Sequence, residues 1–170
     1  MNHDESEVKV GTTFRVYFPA AAGALSTGDT TIIPGKVRGG KETILLVEDE
    51  PVVRELVREI LHTYEYKVIE AESGIDALRV WDQFDGKIDL LLTDMVMPEG
   101  LNGRELADQL KKRHPELKVI FSSGYSAESL GREISDDTAF LPKPYLPPQL
   151  AQMVRQCLDA PKKRTEMMIA

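Results

Sequence analysis

The chain is poor in cysteine and in aromatic side chains, with one cysteine and one tryptophan in 170 residues. A lone cysteine, Cys157, excludes an intramolecular disulfide and fits a reducing, cytoplasmic compartment. It falls within an apolar-periodic segment, which points to packing rather than reactivity. Basic residues are outnumbered, 21 against 28 acidic ones, and the net charge of −7 leaves no basic stripe for nucleic acid. No apolar run approaches the roughly 20 residues that a membrane-spanning helix needs, so no membrane contact is expected of this stretch of chain. The opening residues Met1-Asn2-His3-Asp4-Glu5-Ser6-Glu7 are acidic and lack the apolar centre of a signal peptide.

What the chain does have is order beyond residue 42. Short apolar runs at about 43–47, 67–70, 89–93, 118–122 and 139–141 read as strands. Between them, apolar residues recur at three- and four-residue spacing, as in Val52-Val53, Leu56-Val57 and Ile60-Leu61. Residues 74–84 and 103–113 repeat that helical pattern, and 147–158 forms a last helix entered through Pro147-Pro148. A weaker helix, interrupted by Gly131, is expected at 126–134. Such alternation predicts an α/β fold, a flavodoxin-like doubly wound parallel sheet of five strands in the order 2-1-3-4-5 with five helices. Residues 20–41 are small and Gly-rich and read as a linker, and 161–170 as a solvated tail containing Lys162-Lys163-Arg164. Ahead of the linker, Thr12–Phe18 alternates like a strand that ends at Pro19. A single strand cannot bury itself, so residues 1–19 are either an added edge strand or the remnant of a larger unit.

The informative chemistry stands where the strands stop. Glu48 and Asp49 follow the first apolar run, Asp94 the third, Ser123 the fourth and Lys143 the fifth. Ligands of open parallel sheets bind at the carboxyl ends of the strands. Three carboxylates gathered there repel one another by about 3–4 kcal/mol per pair at 4–5 Å and an effective dielectric of 20. A hard cation with oxygen ligands relieves that repulsion, and Mg²⁺ suits a site with few carboxylates and a phosphate to share. Capping of the following helices is the alternative use of these acids, although Glu48, Asp49 and Glu50 in succession exceed what one cap needs. A carboxylate standing alone beside a metal, as Asp94 does, can act as a nucleophile toward phosphorus.

These stretches resemble the response-regulator receiver domain of two-component signalling. The resemblance rests on Leu45-Leu46-Val47-Glu48-Asp49-Glu50, Leu92-Thr93-Asp94-Met95-Val96-Met97-Pro98, Gly103, Ser122-Ser123-Gly124-Tyr125 and Leu141-Pro142-Lys143-Pro144, and spans 42–160. It implies that Asp94 accepts a phosphoryl group from the phosphohistidine of a histidine kinase or phosphotransfer domain. It implies Mg²⁺ held by Glu48, Asp49, Asp94 and the backbone carbonyl of Val96. Ser123 and Lys143 would contact the phosphoryl group, and Ser123 and Phe140 would form the switch. A cis bond is expected at Lys143-Pro144. Glu48 departs from the aspartate commoner at its place, and the loop Pro98–Gly103 is one residue longer than usual. Val96 and Tyr125 flank the expected path of water and bear on how long the phosphate survives. Output is expected through a protein partner, with a homodimer through the fourth helix, fifth strand and fifth helix as one arrangement. No DNA-binding segment is expected after residue 160. Separately, Val10–Pro19 is similar to the closing strand of a histidine-kinase ATP-binding domain, which implies a hybrid histidine kinase as parent.

Two rivals stand beside this reading. A haloacid-dehalogenase-type phosphatase wants a second aspartate two residues after Asp94, where this chain has Val96. A degenerate receiver would only mediate protein contacts, which the intact Glu48, Asp49, Asp94, Ser123 and Lys143 oppose. His62, Trp81 and Phe84 are best read as packing or surface residues of their helices.

Overall fold

The computed structural model describes residues 3–7, 11–15, 37–84, 87–98, 100–124 and 138–161. It divides into two units, Met1–Ile33 and Pro34–Ala170. In the first, β1 (His3–Glu7) pairs antiparallel with β2 (Gly11–Arg15), with His3 opposite Arg15 and Glu7 opposite Gly11. The described part of the alternating segment, Thr12–Arg15, therefore has a local partner in the acidic opening residues. Among the described residues these two strands form a two-stranded sheet.

The second unit builds β3 (Thr43–Val47), α1 (Pro51–Thr63), β4 (Lys67–Ala71), α2 (Gly74–Gln83), β5 (Leu90–Asp94), α3 (Gly103–Arg113), β6 (Lys118–Ser123), β7 (Ala139–Pro142) and α4 (Pro147–Asp159). The strands lie in the order β4-β3-β5-β6-β7, all parallel, which is the 2-1-3-4-5 order expected. The helix expected at 126–134 lies outside the described residues. Among the described residues no helix is long and apolar enough to cross a membrane.

Parallel strands covered on both faces read as continuous apolar runs, and alternate residues then serve opposite layers. Leu45, Val47, Leu91 and Val119 meet α2 and α3 through Trp81, Leu106 and Leu110. Ile44, Leu46, Leu90, Leu92 and Ile120 meet α1 and α4 through Leu61, Leu150 and Val154. Helix starts are set locally. Pro51 opens α1, Ser73 Oγ accepts from Asp76 N at 3.2 Å at the head of α2, and Asn102 and Glu105 exchange hydrogen bonds at the head of α3. The far end of α4 is closed by Lys118, whose Nζ donates to the carbonyls of Cys157 (2.7 Å) and Leu158 (2.9 Å).

The chain reaches β3 under tight constraint. Gly40 N donates to Tyr64 O at 3.0 Å, and a Cβ on Gly39 would lie 1.9 Å from that same carbonyl oxygen. Arg155 of α4 then grips Glu42, its Nη1 donating to Oε1 at 2.9 Å, while Nε and Nη2 hold Asp159. Burial pushes the Glu42 carboxyl up, but a backbone hydrogen bond and the Arg155 guanidinium outweigh it and hold the group below its ordinary 4.5. For a depressed carboxyl, the stabilisation is complete above the ordinary value and is lost as pH falls through the folded one. Arg155→Met is therefore expected to cost about 1 kcal/mol near neutrality. In urea titrations the gap from wild type should shrink as pH drops below the ordinary value of Glu42. A gap that stays constant with pH would show that Arg155 acts through its packed stem alone.

Candidate functional site

Each site residue stands at the carboxyl end of a strand, brought there by register. Asp94 at the end of β5 lies opposite Ser122, and Ser123 at the end of β6 lies opposite Pro142. Backbone bonds fasten these ends together: Met95 N to Ser122 O at 2.9 Å, Lys143 N to Ser123 O at 2.8 Å, and Glu48 N to Ala71 O at 3.3 Å. Oxygens of Glu48, Asp49 and Asp94 come within 4.8 Å of one another.

Lys143 joins two of the three. Its Nζ donates to Glu48 Oε2 and to Asp94 Oδ2, each at 2.7 Å. The other Asp94 oxygen, Oδ1, accepts from Val96 N at 3.0 Å, so both oxygens are held before any ligand arrives. Glu48 is buried, only 4% exposed, and its extra methylene lets a side chain rooted at the end of β3 reach the lysine. Burial raises its carboxyl above the ordinary value; Lys143 opposes this, while Asp94 and Asp49 add to it. The Lys143 ammonium is raised too: burial works against the charged form, but Asp94 and Glu48 overcome it. Burial is thus the main cause at Glu48, and the two carboxylates that the ammonium contacts are the cause at Lys143. One ammonium beside three gathered carboxylates leaves net negative charge at the strand ends, which is the condition under which a hard cation binds.

The remaining expected residues are placed as follows. Ser123 is buried at the end of β6. Phe140 in β7 lies opposite Phe121 and packs, partly buried, against the core. Val96 turns its side chain outward, 56% exposed. The Lys143-Pro144 bond is cis, as expected. In the long loop, Gly100 has φ +77°, a left-handed conformation that favours glycine. Tyr125 lies outside the described residues.

Three features escaped sequence reasoning. An open cleft of about 370 Å³ lies beside the acids, lined by Asp49, Glu72, Ser73, Met97 and Pro98. Gly103 is needed because a Cβ there would sit 2.1 Å from Asp94 O. Arg54 Nη1 donates to Glu48 O at 2.6 Å. The first and third involve residues distant in sequence or backbone atoms, for which no spacing gives a signal.

The family model described as Response regulator receiver domain matches residues 44–155. The chain belongs to this family. Residues 44–155 are a receiver domain of two-component signalling. Sensor kinase CckA of Brucella abortus (strain 2308) is 36% identical over 164 residues, covering 91% of this chain and 17% of that kinase. Transcriptional regulatory protein CpxR of Escherichia coli (strain K12) is 36% identical over 118 residues, 68% of this chain and 48% of that regulator. The crystal structure of the receiver domain from hybrid histidine kinase CckA superposes with a TM-score of 0.58 at 36% identity, covering 68% of this chain and 98% of that one. This chain thus spans a small part of the kinase and about half of the regulator.

Proposed function

We propose that this receiver accepts a phosphoryl group on Asp94 from the phosphohistidine of a histidine kinase or phosphotransfer domain. The observation that carries the reading is the convergence of Glu48, Asp49 and Asp94 with Lys143 bridging Glu48 and Asp94. In the transfer an Asp94 carboxylate oxygen forms a bond to phosphorus as the imidazole N–P bond breaks. The product is an acyl phosphate, and the departing imidazole nitrogen keeps the N–P electron pair and takes a proton from solvent.

Lys143 serves the reaction by shifting from the Asp94 carboxylate to an oxygen of the incoming phosphoryl group while Glu48 keeps its other side. The Val96 N–H orients the aspartate by holding Oδ1. Ser123 supplies a hydroxyl to the phosphoryl oxygens, and its displacement admits Phe140 to the space behind it. The donor set fits Mg²⁺: three carboxylates, one of them deeply buried, with the Val96 carbonyl as a further oxygen. Bound there, the ion neutralises charge on the phosphoryl oxygens.

The activity is that of a switch, with self-phosphorylation and autodephosphorylation rather than turnover of an outside substrate. Phosphorylation biases a two-state equilibrium read out on the surface of β7 and α4, for a protein partner or a second copy of the chain. Val52 and Leu56 on α1 and Leu146 ahead of α4 are exposed apolar side chains that would suit the docking of a protein partner. The alignment with the Brucella sensor kinase covers 91% of this chain, well beyond the matched 44–155, which supports a hybrid-kinase parent acting in the cytoplasm. Residues 1–19 would then be the end of its ATP-binding domain.

The test is intact mass after incubation with acetyl phosphate and Mg²⁺, with EDTA as the control. One phosphoryl group is expected, and none in EDTA. A folded protein that takes up no phosphoryl group would overturn the reading and leave a phosphate-independent interaction module.

A further inference from the structure

Arg54 sits one turn into α1, on the backbone side of the acid pair. Its Nη1 donates to Glu48 O at 2.6 Å and, more weakly, to Asp49 O at 3.4 Å. Its own amide donates to Glu50 O at 2.9 Å. One residue thereby holds three successive carbonyls, those of Glu48, Asp49 and Glu50. The side chain is only 18% exposed, and its Nε stands 3.8 Å from Glu70 Oε2 on the neighbouring strand β4. Glu70 is held in turn by Arg58 at 3.3 Å. The carboxylates of Glu48 and Asp94 take their positive partner from Lys143 instead.

Repulsion among three gathered carboxylates would otherwise be relieved by rotating the peptides that carry them, which swings a side chain out toward water. Two hydrogen bonds from a fixed, planar donor oppose that rotation without occupying the site. We propose that Arg54 is a positioning residue for the acidic centre. It holds the Glu48–Glu50 main chain so that both acids enter the site before a divalent cation arrives, and it thereby strengthens binding of that cation. The inference rests on the metal-binding reading of the acids given above. The bland alternative is that Arg54 serves only the ion-pair network linking α1 to Glu70, in which case its loss changes stability and nothing at the site.

The experiment is a Mn²⁺ titration of the full chain followed by electron paramagnetic resonance. It compares wild type, Arg54→Met, Arg54→Lys, Arg54→Gln and Glu70→Gln, each checked for fold by circular dichroism in EDTA. Arg54→Met is expected to weaken Mn²⁺ about tenfold, the usual effect of removing a group that orients a ligand. Arg54→Lys and Arg54→Gln, which keep N–H donors, should recover part of the loss, and Glu70→Gln should bind as wild type does. Unchanged or tighter binding by folded Arg54→Met overturns the inference, tighter binding showing that Arg54 acts only as a charge. Should Arg54→Met fail to fold, Arg54→Gln decides: binding within about twofold of wild type together with a pronounced loss in Glu70→Gln would assign the effect to the ion-pair network. Wild type that binds no Mn²⁺ is a separate result, and it removes the metal reading beneath the proposal.

Discussion

Asp94→Asn is expected to take up no phosphoryl group from acetyl phosphate and Mg²⁺ under conditions that fully label the wild type. The reason is chemical rather than structural. A carboxylate oxygen carries the full negative charge and electron pair that attack phosphorus, whereas the oxygen of a neutral amide carries only partial negative charge and is a far weaker nucleophile. The surroundings should tolerate the exchange. The amide oxygen can still accept the Val96 N–H now bound to Oδ1 at 3.0 Å, and Lys143 keeps Glu48 at 2.7 Å. Two electrostatic changes oppose each other. The variant loses the Lys143–Asp94 contact, and it also removes repulsion from Glu48 and Asp49, each such pair costing about 3–4 kcal/mol at 4–5 Å and a dielectric of 20. Stability without Mg²⁺ should therefore stay within about 1 kcal/mol of wild type or rise. Intact mass and urea unfolding together separate the possibilities. Loss of the adduct with unchanged unfolding assigns the chemistry to Asp94. An adduct that persists would move the acceptor to Glu48 or Asp49.

The fold was legible because its strands are buried on both faces. A run such as Ile44-Leu45-Leu46-Val47 must sit between two helical layers, and both ends of β3 fell where its apolar run does. Polarity hid β1: His3–Glu7 has no apolar face to mark it, and only its partner strand makes it one. At the site, position along the chain was enough to bring Glu48, Asp49, Asp94, Ser123 and Lys143 to one end of the sheet, since register in a parallel sheet carries every strand end to the same edge. What one atom does to another was not legible in the same way. That Lys143 divides itself between Glu48 and Asp94 depends on side-chain reach. That Arg54 holds carbonyls depends on the turn leading into α1. Gly103 belongs to the same class. A glycine opening a helix looks like a flexible joint in the sequence and is a packing requirement in the fold.

Gly103→Ala is expected to cost about 3 kcal/mol and to impair the site as well, the upper end of what overpacking does. Backbone conformation is not the cause, because Gly103 has no left-handed φ. The cause is proximity: an added Cβ would lie 2.1 Å from Asp94 O and 3.0 Å from Thr93 Oγ1. Neither neighbour can retreat cheaply. Thr93 is fully buried and donates to Asp94 O at 3.0 Å, and Met95 N, the next amide, is committed to Ser122 O at 2.9 Å. On the other side, moving α3 away would draw Leu106 and Leu110, both wholly buried, out of the core. Alanine's higher helix propensity returns no more than about 1 kcal/mol, too little to reverse the sign. The displacement that relieves the clash must pass through the Asp94 carbonyl, so even the folded fraction should accept phosphate more slowly. Gly124→Ala is the control: a Cβ there meets nothing within 4 Å, and stability should change by less than about 0.5 kcal/mol. Urea unfolding of both variants, with phosphorylation rates taken well below their midpoints, tests the argument. Gly103→Ala as stable as Gly124→Ala would mean that α3 and the end of β5 can part without cost, and that the approach of helix to strand does not hold Asp94 in place.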